Sequence, residues 1–286
     1  VALSDMNSIV NCRVLVCAVL RSGTAIAPKG NFILREGDRI FVTASPHNLT
    51  NMLRSLGIIT RRVRNVMLCG GGRVSYYLAD ILNRHGISVK LMEKNETRCR
   101  ELSALLPEVT VILGDGTDHA VLDSEGLAKT DALVSLTGMD ELNMIMSLYG
   151  QSQGVPQVIT KLGRMENHTI IDALALGSVV CPKELCCNNI VRYVRAMQNQ
   201  TGAAVSVHRI AHGQVEAVEF LVDDTTLHCN TLLKDIRLKD NVLVVSITHG
   251  PKTEIPGGDA SFDVGDTIVV VTSGQGTLRQ LNDIFA

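Results

Sequence analysis

The chain has 286 residues and a formal net charge of −2 at pH 7, and 45% of its residues are hydrophobic. Aromatic residues make up only 3% and Trp is absent, so the cores must be built from aliphatic side chains, a composition that suits buried parallel strands. No apolar run approaches the ~20 residues that a membrane-spanning helix needs, and no signal peptide is visible.

The cysteines and histidines show no metal-binding spacing. The eight cysteines are scattered without a C-x-x-C pair, and the eight histidines include no H-E-x-x-H motif. We therefore expect buried free thiols in a reducing compartment and no metal site.

Charge is distributed unevenly along the chain. Residues 1–64 carry 9 basic against 3 acidic side chains, residues 65–200 carry 12 against 15, and residues 201–286 carry 6 against 11. A basic segment can meet nucleic acid, acidic protein or an anionic surface. No aromatic residues interleave with the basic ones, so nucleic acid is not an expected partner.

Residues 1–60 are predicted to form a small α+β domain. The run RVLVCAVLRSGTAIAPKGNFILREGDRIFV, residues 13–42, is typical of short strands separated by turns, with Gly37-Asp38 in a turn. The stretch NLTNMLRSLG that follows is helix-like.

Strands alternate with helices over residues 65–200. The predicted strands cover residues 66–69, 88–93, 109–113, 131–137, 157–161 and 178–180. Helical patterns cover residues 74–84 and 95–106, and another helix begins near Asp140. This alternation predicts a doubly wound parallel sheet of the Rossmann-like kind.

Three glycines connect the first of these strands to its helix, in VMLCGGGRVSYYLADIL. The G-x-G-x-x-G template places its glycines at Gly70, Gly72 and Ser75, and Ser is small enough to replace the third. Backbone N–H groups at the helix start would face phosphates, and Arg73 adds a movable charge. The alternative is a tight strand-to-helix connection that binds nothing.

Glu93 ends the second strand, 21 residues past Gly72. At this position a carboxylate accepts hydrogen bonds from a ribose diol and repels a 2′-phosphate, which disfavours NADP, although the adjacent Lys94 softens that effect. The alternative is a solvated charge at the end of a strand.

Other strand ends of the predicted sheet carry polar residues as well. In an open α/β sheet the ligand lies outside the carboxyl ends of the strands. Asp115 is a candidate for accepting from the adenine amino group, or else a simple turn carboxylate. Thr137 is a candidate for lining the phosphate or ribose side, or else for capping a helix. Lys161 and Arg164 either reach phosphates or are solvated. The predicted cofactor-binding residues are Gly70, Gly71, Gly72, Arg73, Val74, Glu93, Lys94, Gly114, Asp115, Thr137, Lys161 and Arg164.

Residues 203–286 are predicted to form a second copy of the first small domain. The run NVLVVSITHGPKTEIPGGDASFDVGDTIVV, residues 241–270, aligns without a gap to residues 13–42 at an offset of 228. A helix-like stretch, GTLRQLNDIF, follows it. A duplicated module of two domains would place a further Rossmann-like domain before residue 1, so we expect that the chain is a piece of a longer protein.

Together the ordered motifs VMLCGGGRVSYYLADIL, VKLMEKNETRCREL, LGDGTD, DALVSLTGMDELN and VITKLGRMEN resemble the RCK family of potassium-transport nucleotide-binding domains. The flanking repeats resemble the small C-terminal domain of the same family. The tandem arrangement is similar to the TrkA family, the cytosolic regulatory subunits of bacterial Trk potassium uptake systems.

The resemblance implies a protein that is not an enzyme. It implies NAD(H), ATP or ADP in the site, with Gly70, Gly72 and Arg73 at the phosphates, Glu93 at the ribose, and Asp115 and Thr137 in the adenine-side loops. It also implies a homo-oligomeric ring, a tetramer in the full-length parent, on the cytoplasmic face of the plasma membrane. Its partner would be a membrane-embedded potassium transporter of the TrkH/TrkG type, gated by nucleotide occupancy.

Two other functions compete with this one. A dehydrogenase would use the same sheet, but it needs a substrate domain with a proton donor. The small domains offer no His-Asp or Lys-Tyr constellation, and Asp118-His119 are adjacent on a helix start, where they do not face each other. A scaffold with an empty pocket is the other alternative.

Overall fold

The computed structural model describes residues 2–58, 62–164, 171, 174, 176–197, 204–211, 214–273 and 278–286. Contacts within the chain divide it into two compact units. One unit comprises Arg61–Cys186, and the other comprises Val1–Thr60 together with Cys187–Ala286. We call them the α/β unit and the repeat unit.

The α/β unit contains a six-stranded sheet whose strands all pair in parallel, in the order β6-β5-β4-β7-β8-β9. The strands are β4 (Asn65–Cys69), β5 (Ser88–Glu93), β6 (Thr110–Leu113), β7 (Ala132–Ser135), β8 (Gln157–Lys161) and β9 (Ser178–Val180). The chain moves outward from β4 in one direction and then returns to continue in the other. The two halves therefore meet between β4 and β7, which is where such sheets bind ligands.

Helices cover both faces of this sheet because side chains along each strand alternate in direction. The helices that do so are α3 (Arg73–Arg84), α4 (Glu96–Leu105), α5 (His119–Ser124) and α6 (Asp140–Ser152). A further helix, α7 (Pro182–Met197), begins in this unit and runs past its last residue, Cys186. Val66 and Leu68 of β4 pack with Leu102 of α4 on one side. Met67 and Cys69 pack with Met146 of α6 on the other. Both faces are thus packed mainly with aliphatic side chains and methionines, as the composition requires.

The repeat unit contains two antiparallel sheets. The first has the order β2-β1-β3, from β1 (Leu15–Arg21), β2 (Thr24–Ile26) and β3 (Arg39–Thr43), accompanied by α1 (Leu3–Val10) and α2 (Pro46–Ser55). The second has the order β10-β11-β14-β12-β13, from β10 (Ala204–Ile210), β11 (Val215–Leu221), β12 (Val242–His249), β13 (Lys252–Glu254) and β14 (Thr267–Ser273). The predicted fold class is confirmed: a doubly wound parallel sheet together with small antiparallel-sheet domains.

The pairing registers confirm the repeat. Val19 pairs with Ile26 in the first sheet, and Ile247 pairs with Glu254 at the equivalent place in the second. The register shifts between Val16 and Ala18 in the first sheet and between Val244 and Ser246 in the second. The offset of 228 therefore also relates the positions of the register shifts in β1 and β12.

The two copies also share part of their cores. Val14, Val16 and Val19 belong to one core cluster, and their counterparts Val242, Val244 and Ile247 belong to another or pack against it. Cys17 and its counterpart Val245 are both buried in a third cluster, which joins the two copies. Each copy thus uses one strand face for its own core and the opposite face to pack against the other copy.

The copies differ in two structural respects. In the second copy β14 lies between β11 and β12, and Ile268 and Val270 are fully buried. Among the described residues β3 pairs with β1 alone, and the equivalent Ile40 and Val42 are half-exposed. The helix predicted at the end of the second copy is wrong over its described part, because Leu281–Ile284 form a 3-10 helix; residues 274–277 lie outside the described residues.

Most element boundaries in the α/β unit agree with the sequence within two residues, and β8 and β9 coincide with it. The fourth strand is shorter than predicted, since β7 ends at Ser135. The domain boundaries placed at residues 60, 200 and 203 lie outside the described residues and stay predictions. No helix in the described ranges is long and apolar enough to cross a membrane.

Candidate functional site

The first glycine of the turn is required by the fold. Gly70 has φ +106°, a conformation that L side chains rarely adopt. A Cβ there would lie 3.0 Å from the Thr137 backbone nitrogen and 3.1 Å from the Leu136 carbonyl oxygen. Because Gly70 follows β4 and Leu136 follows β7, the two halves of the sheet touch at this glycine.

The third glycine of the turn is free of such packing. A Cβ on Gly72 would meet nothing within 4 Å, and Gly72 has an ordinary extended backbone with φ −71°. It is the N-cap of α3, and no side chain caps the first N–H groups of that helix. A helix start with free N–H groups beside open space suits a phosphate.

Ser75, at the third position of the fingerprint, is fully buried. Ser75 and Ala79 are four residues apart and are the buried residues of α3, so both face the sheet. In the described part of the chain the Ser75 hydroxyl has no hydrogen-bond partner. The serine therefore substitutes for the packing glycine and leaves the phosphate side of the turn unobstructed.

Glu93 binds backbone groups on both sides of the strand end. Its Oε2 accepts a hydrogen bond from the Gly71 N–H at 2.6 Å, and its Oε1 accepts one from the Asn95 N–H at 2.8 Å. A Cβ on Gly71 would lie 2.9 Å from the Glu93 Cγ, so the carboxylate lies directly against the glycine. Each carboxylate oxygen can accept more than one hydrogen bond, which leaves capacity for a ribose diol.

Asp115 is held in a tight turn after β6. Its Oδ1 accepts hydrogen bonds from the Thr117 N–H at 2.9 Å and the Thr117 hydroxyl at 2.7 Å. These bonds, the backbone one foremost, hold the pKa of Asp115 below its usual range. The carboxylate is charged near neutral pH and its Oδ2 makes no part of this turn.

The loop after β7 is fixed by a residue that the sequence did not single out. Asn143 of α6 is fully buried, and its Oδ1 accepts hydrogen bonds from the Thr137 N–H at 2.9 Å and hydroxyl at 2.7 Å. Its Nδ2 donates to the Lys161 carbonyl oxygen at 2.9 Å. Thr137 thus contributes to loop structure, and the ends of β7 and β8 are tied together.

These strand ends enclose a cavity of about 380 Å³. Nine of the twelve predicted residues line it, namely Gly70, Gly71, Gly72, Glu93, Lys94, Gly114, Asp115, Thr137 and Lys161. The sequence missed others that line it, namely Met92, Gly116, Thr117, Leu136, Gly138, Met139 and Leu142. Gly116 and Thr117 belong to the GDGTD motif and could have been included on that ground.

Three predicted residues do not line this cavity. Arg73 and Val74 are exposed in the first turn of α3. Arg164 lines a neighbouring depression with Asp140 and Lys183. There the Asp140 carboxylate accepts hydrogen bonds from the Gly163 N–H at 2.8 and 2.9 Å.

The charged groups in the cavity suit a ligand that carries both phosphates and a sugar. Lys94 and Lys161 supply two cations, and the Lys161 Nζ lies 3.4 Å from the Leu136 carbonyl oxygen. Glu93 and Asp115 supply acceptors near the other strand ends. Cations, free helix N–H groups and carboxylate acceptors together match phosphates and hydroxyl groups.

A buried thiol lies beside the cavity, and the described residues contain no candidate metal cluster. Cys69 lies beneath the cavity, where a Cβ on Gly116 would come 3.3 Å from its Sγ. Burial raises the pKa of this thiol to about 12, so it stays protonated. In the described ranges no group of three or more His, Cys, Asp or Glu side chains is placed to hold a metal ion.

The models of two protein domains match most of the chain. The model of the TrkA-N domain matches residues 66–182, and the model of the TrkA-C domain matches residues 2–57 and 217–286. By these matches the chain contains a TrkA-N domain and two TrkA-C segments. The two TrkA-C matches are the two copies of the repeat.

Curated relatives match nearly the whole of the chain. The Trk system potassium uptake protein TrkA homolog of Archaeoglobus fulgidus is 28% identical over 273 residues, covering 95% of this chain and 60% of the relative. The Trk system potassium uptake protein TrkA of Haemophilus influenzae is 24% identical over 279 residues, covering 96% of this chain and 59% of the relative. The chain spans about three fifths of the length of these relatives.

A solved structure shares the fold of the TrkA-N/TrkA-C chain. The crystal structure of the GsuK RCK domain aligns with a TM-score of 0.50 at 14% identity, covering 95% of this chain and 56% of that one. At this identity the likeness concerns the fold alone.

Proposed function

We propose that the TrkA-N domain of this chain binds an adenine nucleotide, NAD(H), ATP or ADP, in the cavity between β4 and β7. The observation that carries the proposal is the convergence of the Gly70–Gly72 turn, Glu93 and Asp115 on one cavity at the carboxyl ends of parallel strands. Three predictions made from separate stretches of sequence meet there. A glycine turn that served packing alone would not need Gly72, whose Cβ would meet nothing.

Each group in the cavity has a proposed partner on the nucleotide. The N–H groups at the start of α3 hold the phosphates, with Lys161 and Arg73 as cations. Glu93 accepts from the ribose hydroxyls, and its charge disfavours a 2′-phosphate. Asp115 accepts from the adenine amino group through Oδ2, and Lys94 balances the two carboxylates.

The geometry disfavours the dehydrogenase alternative. The Asp118 Oδ1 accepts a hydrogen bond from the Ala120 N–H as the N-cap of α5, at 2.9 Å. The His119 ring stacks on Tyr149, with centroids 3.7 Å apart. The two residues are thus engaged separately and form no proton relay with each other.

For the longer protein we propose regulation of potassium uptake. The relatives named as Trk potassium uptake proteins support this role. The full-length protein would form a cytoplasmic homo-oligomeric ring, a tetramer, peripheral to the plasma membrane beneath a TrkH/TrkG-like transporter. Nucleotide occupancy shifts the ring between two shapes only by its different affinity for each.

The test is ion flux through the reconstituted partner with the full-length protein, in the presence of ATP, ADP, NAD⁺ or NADH at saturation. We expect flux to differ between at least two ligand states, accompanied by a change in the scattering profile. The Gly72→Val variant should show one flux level in all states. Identical flux and scattering in every ligand state would contradict regulation and would favour the alternative, a scaffold that does not respond to nucleotide.

A further inference from the structure

Arg98, on the first turn of α4, donates from its Nε to the Gly71 carbonyl oxygen at 2.8 Å. The guanidinium also pairs with Glu101 at 2.9 Å, and its side chain is 31% exposed. The contact joins a residue five positions past Glu93 to the middle of the glycine turn. The G-x-G-x-x-G fingerprint assigns no role to this arginine.

The contact closes a ring of four hydrogen bonds. The Gly71 N–H donates to Glu93, and the Asn95 N–H donates to the other oxygen of the same carboxylate. The Asn95 side chain accepts from the Arg98 N–H at 2.9 Å, and Arg98 returns to the Gly71 carbonyl. Both polar groups of Gly71 are therefore bound by the end of β5 and the start of α4.

Holding the Gly71 carbonyl also fixes the next donor along the chain. Across a trans peptide bond the C=O of one residue and the N–H of the next point in opposite directions. Since the Gly71 oxygen faces Arg98, the Gly72 N–H points away from α4. Gly72 lines the cavity, and its N–H is the first donor available to a phosphate at the start of α3.

We propose that Arg98 is a positioning residue for the phosphate site, which orients the Gly71–Gly72 peptide so that the Gly72 N–H meets the phosphates. This proposal rests on the proposed nucleotide function. A peptide between two glycines has low barriers to rotation because neither residue has a side chain. Without Arg98 the peptide is free to turn, while Glu93 keeps its hydrogen bonds from Gly71 and Asn95. Loss of Arg98 should therefore weaken phosphate binding and spare the ribose.

The experiment compares ADP with adenosine, which has the same base and ribose but no phosphate. In the Arg98→Ala variant we expect ADP affinity to fall about tenfold by calorimetry and adenosine affinity to change less than twofold. Arg98→Lys, which keeps a donor and the charge, should recover part of the loss. Arg100→Ala is the matched control, because Arg100 lies on the same helix, is 79% exposed and pairs only locally with Glu96.

A second readout is the amide resonance of Gly72, which should shift on ADP addition in the wild type and stay nearly unchanged in Arg98→Ala. Equal losses for ADP and adenosine, or a loss as large in Arg100→Ala, would overturn the positioning role. An unchanged ADP affinity with a shifted Gly72 amide would overturn it too. A wild-type protein that binds neither compound would instead overturn the proposed function, a distinct result.

Discussion

In the α/β unit the acidic side chains Glu93 and Asp115 bind backbone N–H groups and face a cavity, whereas in the repeat unit Arg21 and Asp38 bind each other. The Arg21 Nε and Nη2 donate to the two Asp38 oxygens at 2.7 Å each, and the Asp38 side chain is 3% exposed. The second copy places His249 and Asp266 at the equivalent positions, 2.8 Å apart. Acidic side chains thus pair with basic ones in the repeat unit, whereas in the α/β unit they line a cavity together with Lys94 and Lys161.

This difference predicts that substitutions at the cavity of the α/β unit change nucleotide affinity, and that substitutions at the ion pair of the repeat unit change stability.

The largest effect is expected from Gly72→Val. A valine side chain there meets no protein atom at Cβ but fills the space of the phosphates. We expect adenine-nucleotide affinity to fall at least about 100-fold, or about 2.7 kcal/mol, with little change in melting temperature. Normal binding by the folded variant would show that the turn serves the fold alone.

Glu93→Gln should come next. Replacing a charged acceptor removes roughly 1.5–3 kcal/mol of interaction with the ribose, and calorimetry with ADP and adenosine should show the same loss for both. The amide keeps one acceptor for either the Gly71 or the Asn95 N–H, so a modest decrease in stability is expected as well. Unchanged affinity for every adenine nucleotide would contradict the ribose assignment.

Gly70→Ala, in the same turn, should lower the stability of the fold, whereas Gly72→Val should lower nucleotide affinity. An alanine at this position would have to adopt φ +106°, and its Cβ would lie 3.0 Å from the Thr137 backbone nitrogen. The free energy of unfolding should therefore fall by about 2 kcal/mol. Denaturant unfolding measures this loss, and Gly72→Ala is the matched control because its Cβ is unobstructed. If both variants were equally stable, the close approach between the two halves of the sheet would be disproved.

The smallest effect concerns pH and belongs to the repeat unit. The hydrogen bond from Arg21, then the one from the Arg35 N–H, lowers the pKa of Asp38 from 3.8 to about 2. Because the folded pKa is the lower one, this stabilisation is present above pH 4 and is lost as pH falls toward 2.

The melting temperature of Asp38→Asn should accordingly fall less between pH 5 and pH 2.5 than that of the wild type. Asp240→Asn is the control, since the Asp240 side chain is fully exposed. Nucleotide affinity at neutral pH should be the same in all three proteins. If the melting temperature of Asp38→Asn depended on pH as it does in the wild type, Asp38 would not be a source of the acid sensitivity.

The sequence predicted the strands of the α/β unit well because strand periodicity and the glycine turn are local signals. β8, Gln157–Lys161, was predicted without error for this reason. The repeat was equally visible, since an ungapped offset preserves both the hydrophobic pattern and the irregularity in β1 and β12.

What the sequence could not predict depends on contacts between distant elements. Asn143 and Arg98 belong to no motif that marks them in the sequence, and their roles arise from the loop or turn that packs against them. Arg164 was predicted beside Lys161 because it follows the same strand, but the chain turns at Gly163 and carries it to the neighbouring depression. An α-helix was predicted before Phe285, but Leu281–Ile284 form a 3-10 helix. A helix-like pattern in a short segment can thus adopt the tighter helix instead.

The most direct test of the central claim is calorimetric titration of the purified chain with ADP, ATP, NAD⁺ and NADH, with Gly72→Val titrated in parallel. We expect saturable binding of at least one of these nucleotides at one site per chain, and no binding of it by the folded variant. No measurable binding of any of the four by the wild type, or equal binding by wild type and Gly72→Val, would contradict the assignment of the cavity between β4 and β7 as a nucleotide site.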